Sequence, residues 1–208
     1  MSLNNEGGFI EILGDSFNNC YRYNVSVNDG YRSMEGEEWR AGAAIWVSGK
    51  AGWEREDKPA VNNYIYNNTI YCKEEYTPTF RIASNTQGLF IANNIFYLLN
   101  TVGSKKRGKN RLRYIVFRNN LYCDYDTLPH DLIIQDEHKI IGDPQFFNPG
   151  GDHAEDYIPE NKMIIRKKGI VIERLPDNNI GIFTGLKIDR DYFGNIVSDV
   201  PSLGAIEV

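Results

Sequence analysis

The stretch VNNYIYNNTIYC, Val61 to Cys72, decides the fold. It sets aromatic and β-branched residues, the natural occupants of strands, around a pair of asparagines, which strands disfavour. Variants of the phrase recur as NCYRYNVSVND (Asn19 to Asp29), GLFIANNIFYL (Gly88 to Leu98) and RYIVFRNNLYCD (Arg113 to Asp124). Four copies exceed what chance supplies, so the asparagines belong to a repeat.

Aligning the asparagine before each second apolar run gives Asn24, Asn68, Asn94 and Asn120, with gaps of 44, 26 and 26 residues. Upstream lie FIEI (Phe9 to Ile12), AIWV (Ala44 to Val47) and FRIA (Phe80 to Ala83), whose centres Glu11, Trp46 and Arg81 are each 35 residues apart. The unit therefore reads strand, variable loop, strand, asparagine, strand, variable loop, with no useful helical period between. Three short strands cannot bury a face alone, but they can stack on copies of themselves as a solenoid. The asparagine sits where the chain must turn within a residue or two, because it tolerates left-handed backbone. At one corner of every coil, its amide can hydrogen-bond to its neighbours as a ladder rung.

Composition agrees with a folded chain. The 208 residues are 41% hydrophobic and 12% aromatic, including 13 tyrosines. The net charge of −5 gives no global reason to expect nucleic acid as a partner. Cys20, Cys72 and Cys123 lack metal or disulfide spacing and read as small buried hydrophobes. His130, His138 and His153 read as surface imidazoles. No run of about 18 apolar residues is present to span a membrane. Met1 to Leu3 read as a vector leader, residues 4–124 as coils, and residues 125–208 as the last coil or coils with a C-terminal cap. The chain is expected to be a monomeric fragment lacking N-terminal coils.

YIYNNTIY, FIANNIFY and VFRNNLY, with the closing phrases IIGDPQFFNP (Ile140 to Pro149) and DRDYFGNIVSDVPSLGAIEV (Asp189 to Val208), resemble the right-handed parallel β-helix superfamily, the pectate-lyase-like fold. The resemblance implies an all-β, single-stranded parallel β-helix with an Asn ladder and a C-terminal capping segment, from a secreted, periplasmic or cell-surface bacterial protein. Its implied activity is that of a polysaccharide lyase or glycoside hydrolase on an extracellular polysaccharide, acidic ones included. A non-catalytic carbohydrate-binding, adhesin-like or capping module is the alternative, since fold does not select function.

Strand alternation turns Ile10, Ile12, Ile45, Val47, Phe80 and Ile82 inward and Glu11, Trp46 and Arg81 outward. Stacked in register, these three form a column of acid, aromatic platform and guanidinium. Trp46 could stack on a sugar ring, Arg81 could clamp a uronate carboxylate, and Glu11 could act as acid or base. Flanking loops supply Asp29 and Trp39, then Lys50 and Trp53, as further candidates. Arg81 or Lys50 would serve a lyase; Glu11 with Asp15 or Asp29 would serve a hydrolase, which needs two carboxylates. Asp15 could also take Ca²⁺, the one cofactor considered. The basic run GSKKRGKNRLR, with Lys105, Lys106 and Arg107, reads as a protruding loop suited to an acidic polysaccharide. Asp143, Pro144, Gly194, Gly204 and Glu207 read as structural.

Overall fold

The computed structural model describes residues 1–32, 42–52, 54–76, 79–99, 104–105, 113–124, 135–178 and 185–208. The strands are β1 (Ser2–Leu3), β2 (Gly8–Ile12), β3 (Cys20–Arg22), β4 (Val25–Val27), β5 (Ala43–Val47), β6 (Val61–Tyr66) and β7 (Thr69–Cys72). They continue with β8 (Thr79–Ile82), β9 (Gln87–Ala92), β10 (Ile95–Leu98), β11 (Ser104–Lys105), β12 (Arg113–Arg118), β13 (Leu121–Tyr122) and β14 (Ile140–Ile141). All pair in parallel in three sheets: A in the order β1-β4-β7-β10-β13-β14, B in the order β11-β8-β5-β2, and C in the order β12-β9-β6-β3. The chain visits B, C and A cyclically, so each strand lies beside its counterpart one coil away.

The inward residues meet between the sheets. Ile10, Ile12, Ile45, Val47, Phe80 and Ile82 join Ile65, Ile70, Leu89, Ile91, Phe96 and Phe117 in one buried cluster, as alternation requires. Phe80 and Phe96 meet edge to face at 5.1 Å, and Phe96 stacks on Tyr122 at 5.4 Å. Each fully buried aliphatic or phenyl side chain contributes roughly 1.5–3 kcal/mol.

Both asparagines of each pair hydrogen-bond along the stack, and the first of them also makes the corner. Asn67, Asn93 and Asn119 carry the left-handed backbone, with φ of 50°, 55° and 59°; Tyr23, at 53°, takes that place in the first copy. The three asparagines also form a ladder of their own, Asn119 Nδ2–H donating to Asn93 Oδ1 at 3.0 Å and Asn93 Nδ2–H to Asn67 Oδ1 at 3.1 Å. The following residues form a second ladder that runs the other way. Asn24 donates its backbone N–H and its side-chain Nδ2–H to Asn68 Oδ1, at 3.2 and 3.0 Å. Asn68 does the same to Asn94, and Asn94 to Asn120. The ladder ends on a carboxylate, Asp136, whose Oδ2 accepts Asn120 N–H at 2.9 Å and Nδ2–H at 2.8 Å. Every rung of this ladder donates toward the C-terminal coils, and the ladder of left-handed asparagines donates toward the N-terminal ones.

A second left-handed column, Asn18, Asn62, Gly88 and Tyr114, lies at the opposite side of sheet C. Sheet C is thus bounded by a sharp corner on each side.

Beyond Asn120 the chain first continues the stack, where Asp136 meets the last rung and β14 pairs with β13. From Phe146 on, the described part packs along the flank of several coils. Phe146, Tyr157, Ile165, Leu203, Ala205 and Ile206 bury against Val25, Tyr71, Ile95 and Leu121 of sheet A. The left-handed asparagines hold it there: Asn119 Nδ2–H donates to Lys168 O, Asn93 Nδ2–H to Ile170 O, and Asn67 Nδ2–H to Ser202 O, at 2.7–2.8 Å. Gly204, with φ of 80°, is required by this approach. A Cβ there would lie 2.6 Å from Ile95 Cδ1 and 2.7 Å from Thr69 Oγ1. Asp191 ties the closing turn, accepting from the N–H groups of Phe193, Asn195 and Glu207.

Ser2–Leu3 form a strand paired with Ser26 and Val27. Ser104–Lys105, placed in a protruding loop, belong to sheet B. Cys72 is buried, whereas Cys20 and Cys123 are only half-buried. Burial pushes the Cys72 thiol up to about 12.

Candidate functional site

Sheet B positions the outward column. Glu11 pairs with Trp46 and Trp46 with Arg81, and Lys105 extends the same register beyond Arg81. Neighbouring strands in such a sheet stand about 4.8 Å apart, roughly the rise that a sugar ring covers. Glu11 is exposed and Trp46 half-buried.

Arg81 departs from the expected exposed clamp: it is only 7% exposed. Its Nε–H donates to Thr79 Oγ1 at 2.9 Å, and the Thr79 hydroxyl donates to Gly42 O at 3.1 Å. Its guanidinium carbon lies 5.6 Å from the Trp46 ring centroid, a cation–π contact that fixes the indole plane. Arg81 therefore positions Trp46, and a buried guanidinium held this way is a poor proton acceptor.

Asp15 and Lys50 follow sheet B in its exit turns and do not join the column. Gly14 lets the two turns touch: its N–H donates to Lys50 O at 3.0 Å, and a Cβ there would lie 2.3 Å from Lys58 O. Asp15 is ion-paired with Lys58 at 3.1 Å. Among the described residues, no three His, Cys, Asp or Glu side chains converge to hold a metal. Asp29 is also removed from the candidate surface. It is 2% exposed, Oδ1 accepts Asn5 N–H and Nδ2–H, and Oδ2 accepts the Ser26 hydroxyl, so it stitches successive coils of sheet A. Trp39, Trp53, Lys106 and Arg107 lie outside the described residues.

One surface cluster was missed by sequence reasoning. Tyr31 and Tyr76 approach to 5.3 Å in the turns leading from sheet A to sheet B, and Lys73 Nζ lies 4.8 Å from the Tyr76 centroid. Lys73 is ion-paired with Glu75 at 2.7 Å, which raises the lysine's affinity for its proton. Two single tyrosines in unrelated loops give no periodic signal. A groove between the C-terminal segment and the coils, lined by Tyr66, Ile172, Leu186 and Val197, includes no member of the column.

No protein-family model matches the chain. It is similar to the lacto-N-biosidase of Bifidobacterium longum subsp. longum, 27% identical over 212 residues. The similarity covers 91% of this chain and 11% of that protein, so the chain spans about a ninth of its relative's length. The relative's name is that of a glycoside hydrolase.

Proposed function

We propose that the chain is part of a right-handed parallel β-helix that recognises polysaccharide, extracellular or at the cell surface, through the outer face of sheet B. Right-handedness follows the strong preference of parallel crossovers. The observation that carries the function is the in-register set Glu11–Trp46–Arg81, in which Arg81 orients a half-buried indole beside an exposed carboxylate. An aromatic plane with a polar group one strand away suits a sugar, whose ring has an apolar face and a hydroxyl rim.

Hydrolysis is the second reading, supported by the similarity to a glycoside hydrolase. Glu11 would be its carboxylate. A hydrolase needs a second one, about 5–5.5 Å away for retention or 6.5–9.5 Å for inversion. Among the described residues the column supplies only Glu11. Beta-elimination is less well supported, because Arg81 is buried and held. In this proposal the protein acts as a monomer.

The test is a panel of neutral and acidic oligosaccharides followed by tryptophan fluorescence, with mass spectrometry of the products. Saturable binding weakened at least tenfold by Trp46→Ala is expected. Products carrying an added water and lost in Glu11→Gln would extend the reading to hydrolysis. Binding to no oligosaccharide, or binding indifferent to Trp46, would overturn it.

A further inference from the structure

The outer face of sheet B is closed on one side of its column and open on the other. Two positions before Trp46 and Arg81 stand Ala44 and Thr79, both buried. The Thr79 hydroxyl is already engaged, accepting from Arg81 Nε–H and donating to Gly42 O. Two positions after the column stand Ser48 and Ala83, which are half-buried. They carry the sheet one residue past its strands, because Ser48 N–H donates to Ile12 O at 2.8 Å and Ala83 N–H to Val47 O at 2.9 Å. Alternation gives them the outward direction of Trp46 and Arg81. Leu13, 46% exposed, follows Ile12 and so holds the matching place beside Ser48 on the neighbouring strand.

This strip is low, since its residues over Trp46 and Arg81 are a serine and an alanine. The Trp46 indole stands on one side of it. On the other side Asn85 lies across Gly49: a Cβ at Gly49 would sit 2.3 Å from Asn85 Oδ1, and Asn85 Nδ2–H meets Gly49 O at 3.5 Å. A trough is left with an indole for one wall, an amide for the other and a hydroxyl in its floor. Ser48 Oγ accepts the Lys50 N–H at 3.1 Å, which fixes the oxygen, while its own proton meets no acceptor among the described residues.

We infer that a sugar ring stacked on Trp46 lies in this trough and that Ser48 is a specificity-determining residue, donating its proton to one ring hydroxyl while Glu11 accepts from another. Ser48 stands roughly 6.6 Å along the strand from Trp46, about the width of one pyranose ring. Its small side chain admits the ring, and its donor rejects a ring that offers no oxygen there, since the hydroxyl would then be left unpaired. Resting on the carbohydrate reading of sheet B, this placement fixes which side of the indole is used.

The test is calorimetric titration with cellotetraose, xylotetraose, mannotetraose and tetragalacturonate, followed by variants against the tightest of the four. Ser48→Ala, which removes one hydrogen bond, should weaken binding about 3- to 10-fold. Ser48→Leu and Ala83→Leu, which fill the trough from adjacent coils, should each weaken it at least tenfold while melting within about 2 °C of the parent. In a Trp46→Ala background Ser48→Leu should add little, because both changes act on one ring. Binding weakened by Trp46→Ala but indifferent to both leucine variants would overturn the trough and leave the sheet B reading standing. A Ser48→Leu loss fully additive with that of Trp46→Ala would also overturn it. Binding to none of the four, or binding indifferent to Trp46, would remove the carbohydrate reading itself and this placement with it.

Discussion

Replacing Asp136 by asparagine changes one oxygen to an NH₂ group, yet it should destabilise the protein substantially. Asp136 Oδ2 accepts the two Asn120 donors, while Oδ1 accepts Asn119 N–H at 2.8 Å and His138 N–H at 3.2 Å. An asparagine could serve Asn120 with its single oxygen, as every other rung serves its neighbour. Its NH₂ group would then point at the Asn119 and His138 N–H groups, leaving two donors unpaired at a site only 5% exposed. Bonds to a charged acceptor contribute roughly 1.5–3 kcal/mol each. Allowing for relaxation and the weaker His138 contact, the cost comes to about 3 kcal/mol, or about 9 °C in a domain of this size. The reciprocal change, Asn94→Asp, replaces the Nδ2 donor to Asn120 Oδ1 and Ile65 O with a carboxylate oxygen. That carboxylate would be buried against two acceptors, so its pKa would rise on folding. The added destabilisation should therefore be largest at neutral pH and shrink on acidification, as a protonated oxygen restores one donor. Urea unfolding followed by circular dichroism reads both effects from midpoint and slope. An Asp136→Asn variant within about 1 kcal/mol of the parent would refute the assignment of Asp136 as ladder terminator.

Three further outcomes follow. Gly204→Ala forces a Cβ against Ile95 and Thr69 at a left-handed φ, and should cost about 3 kcal/mol, with amide protection lost first in residues 201–208. Burial, reinforced by Asp191, raises the Glu207 carboxyl above its ordinary range despite the bonds from Ser202. The native state thus holds its proton more tightly than the unfolded chain. Glu207's contribution is greatest at acid pH and declines as pH rises through the raised value, and a melting series of parent against Glu207→Gln should show this slope vanish in the variant. Arg81→Lys removes the Nε–H bond to Thr79 and the stacking on Trp46, costing about 1–2 kcal/mol in urea unfolding and weakening any ligand that depends on the indole plane.

The coils were legible because their cause is periodic. Strand alternation sets the inward residues, and the 35-residue spacing of Glu11, Trp46 and Arg81 places them in one column. Asp136 was not legible: it lies 16 residues after Asn120 in a polar stretch where the repeat has faded. The course of the C-terminal segment was hidden for another reason. The asparagines read its backbone carbonyls, which leave no mark on side-chain identity except at Gly204. Arg81 shows the limit of alternation. An outward position in a strand is not an exposed one when neighbouring threonine and tryptophan side chains enclose it.

The central claim, that the outer face of sheet B is a carbohydrate site, is tested most directly by a crystal structure with the tightest-binding oligosaccharide of the panel. Density is expected for a sugar ring lying flat on the Trp46 indole at about 4 Å, with a hydroxyl bonded to Glu11. Density for the sugar elsewhere on the molecule, with Trp46 and Glu11 untouched, would contradict it.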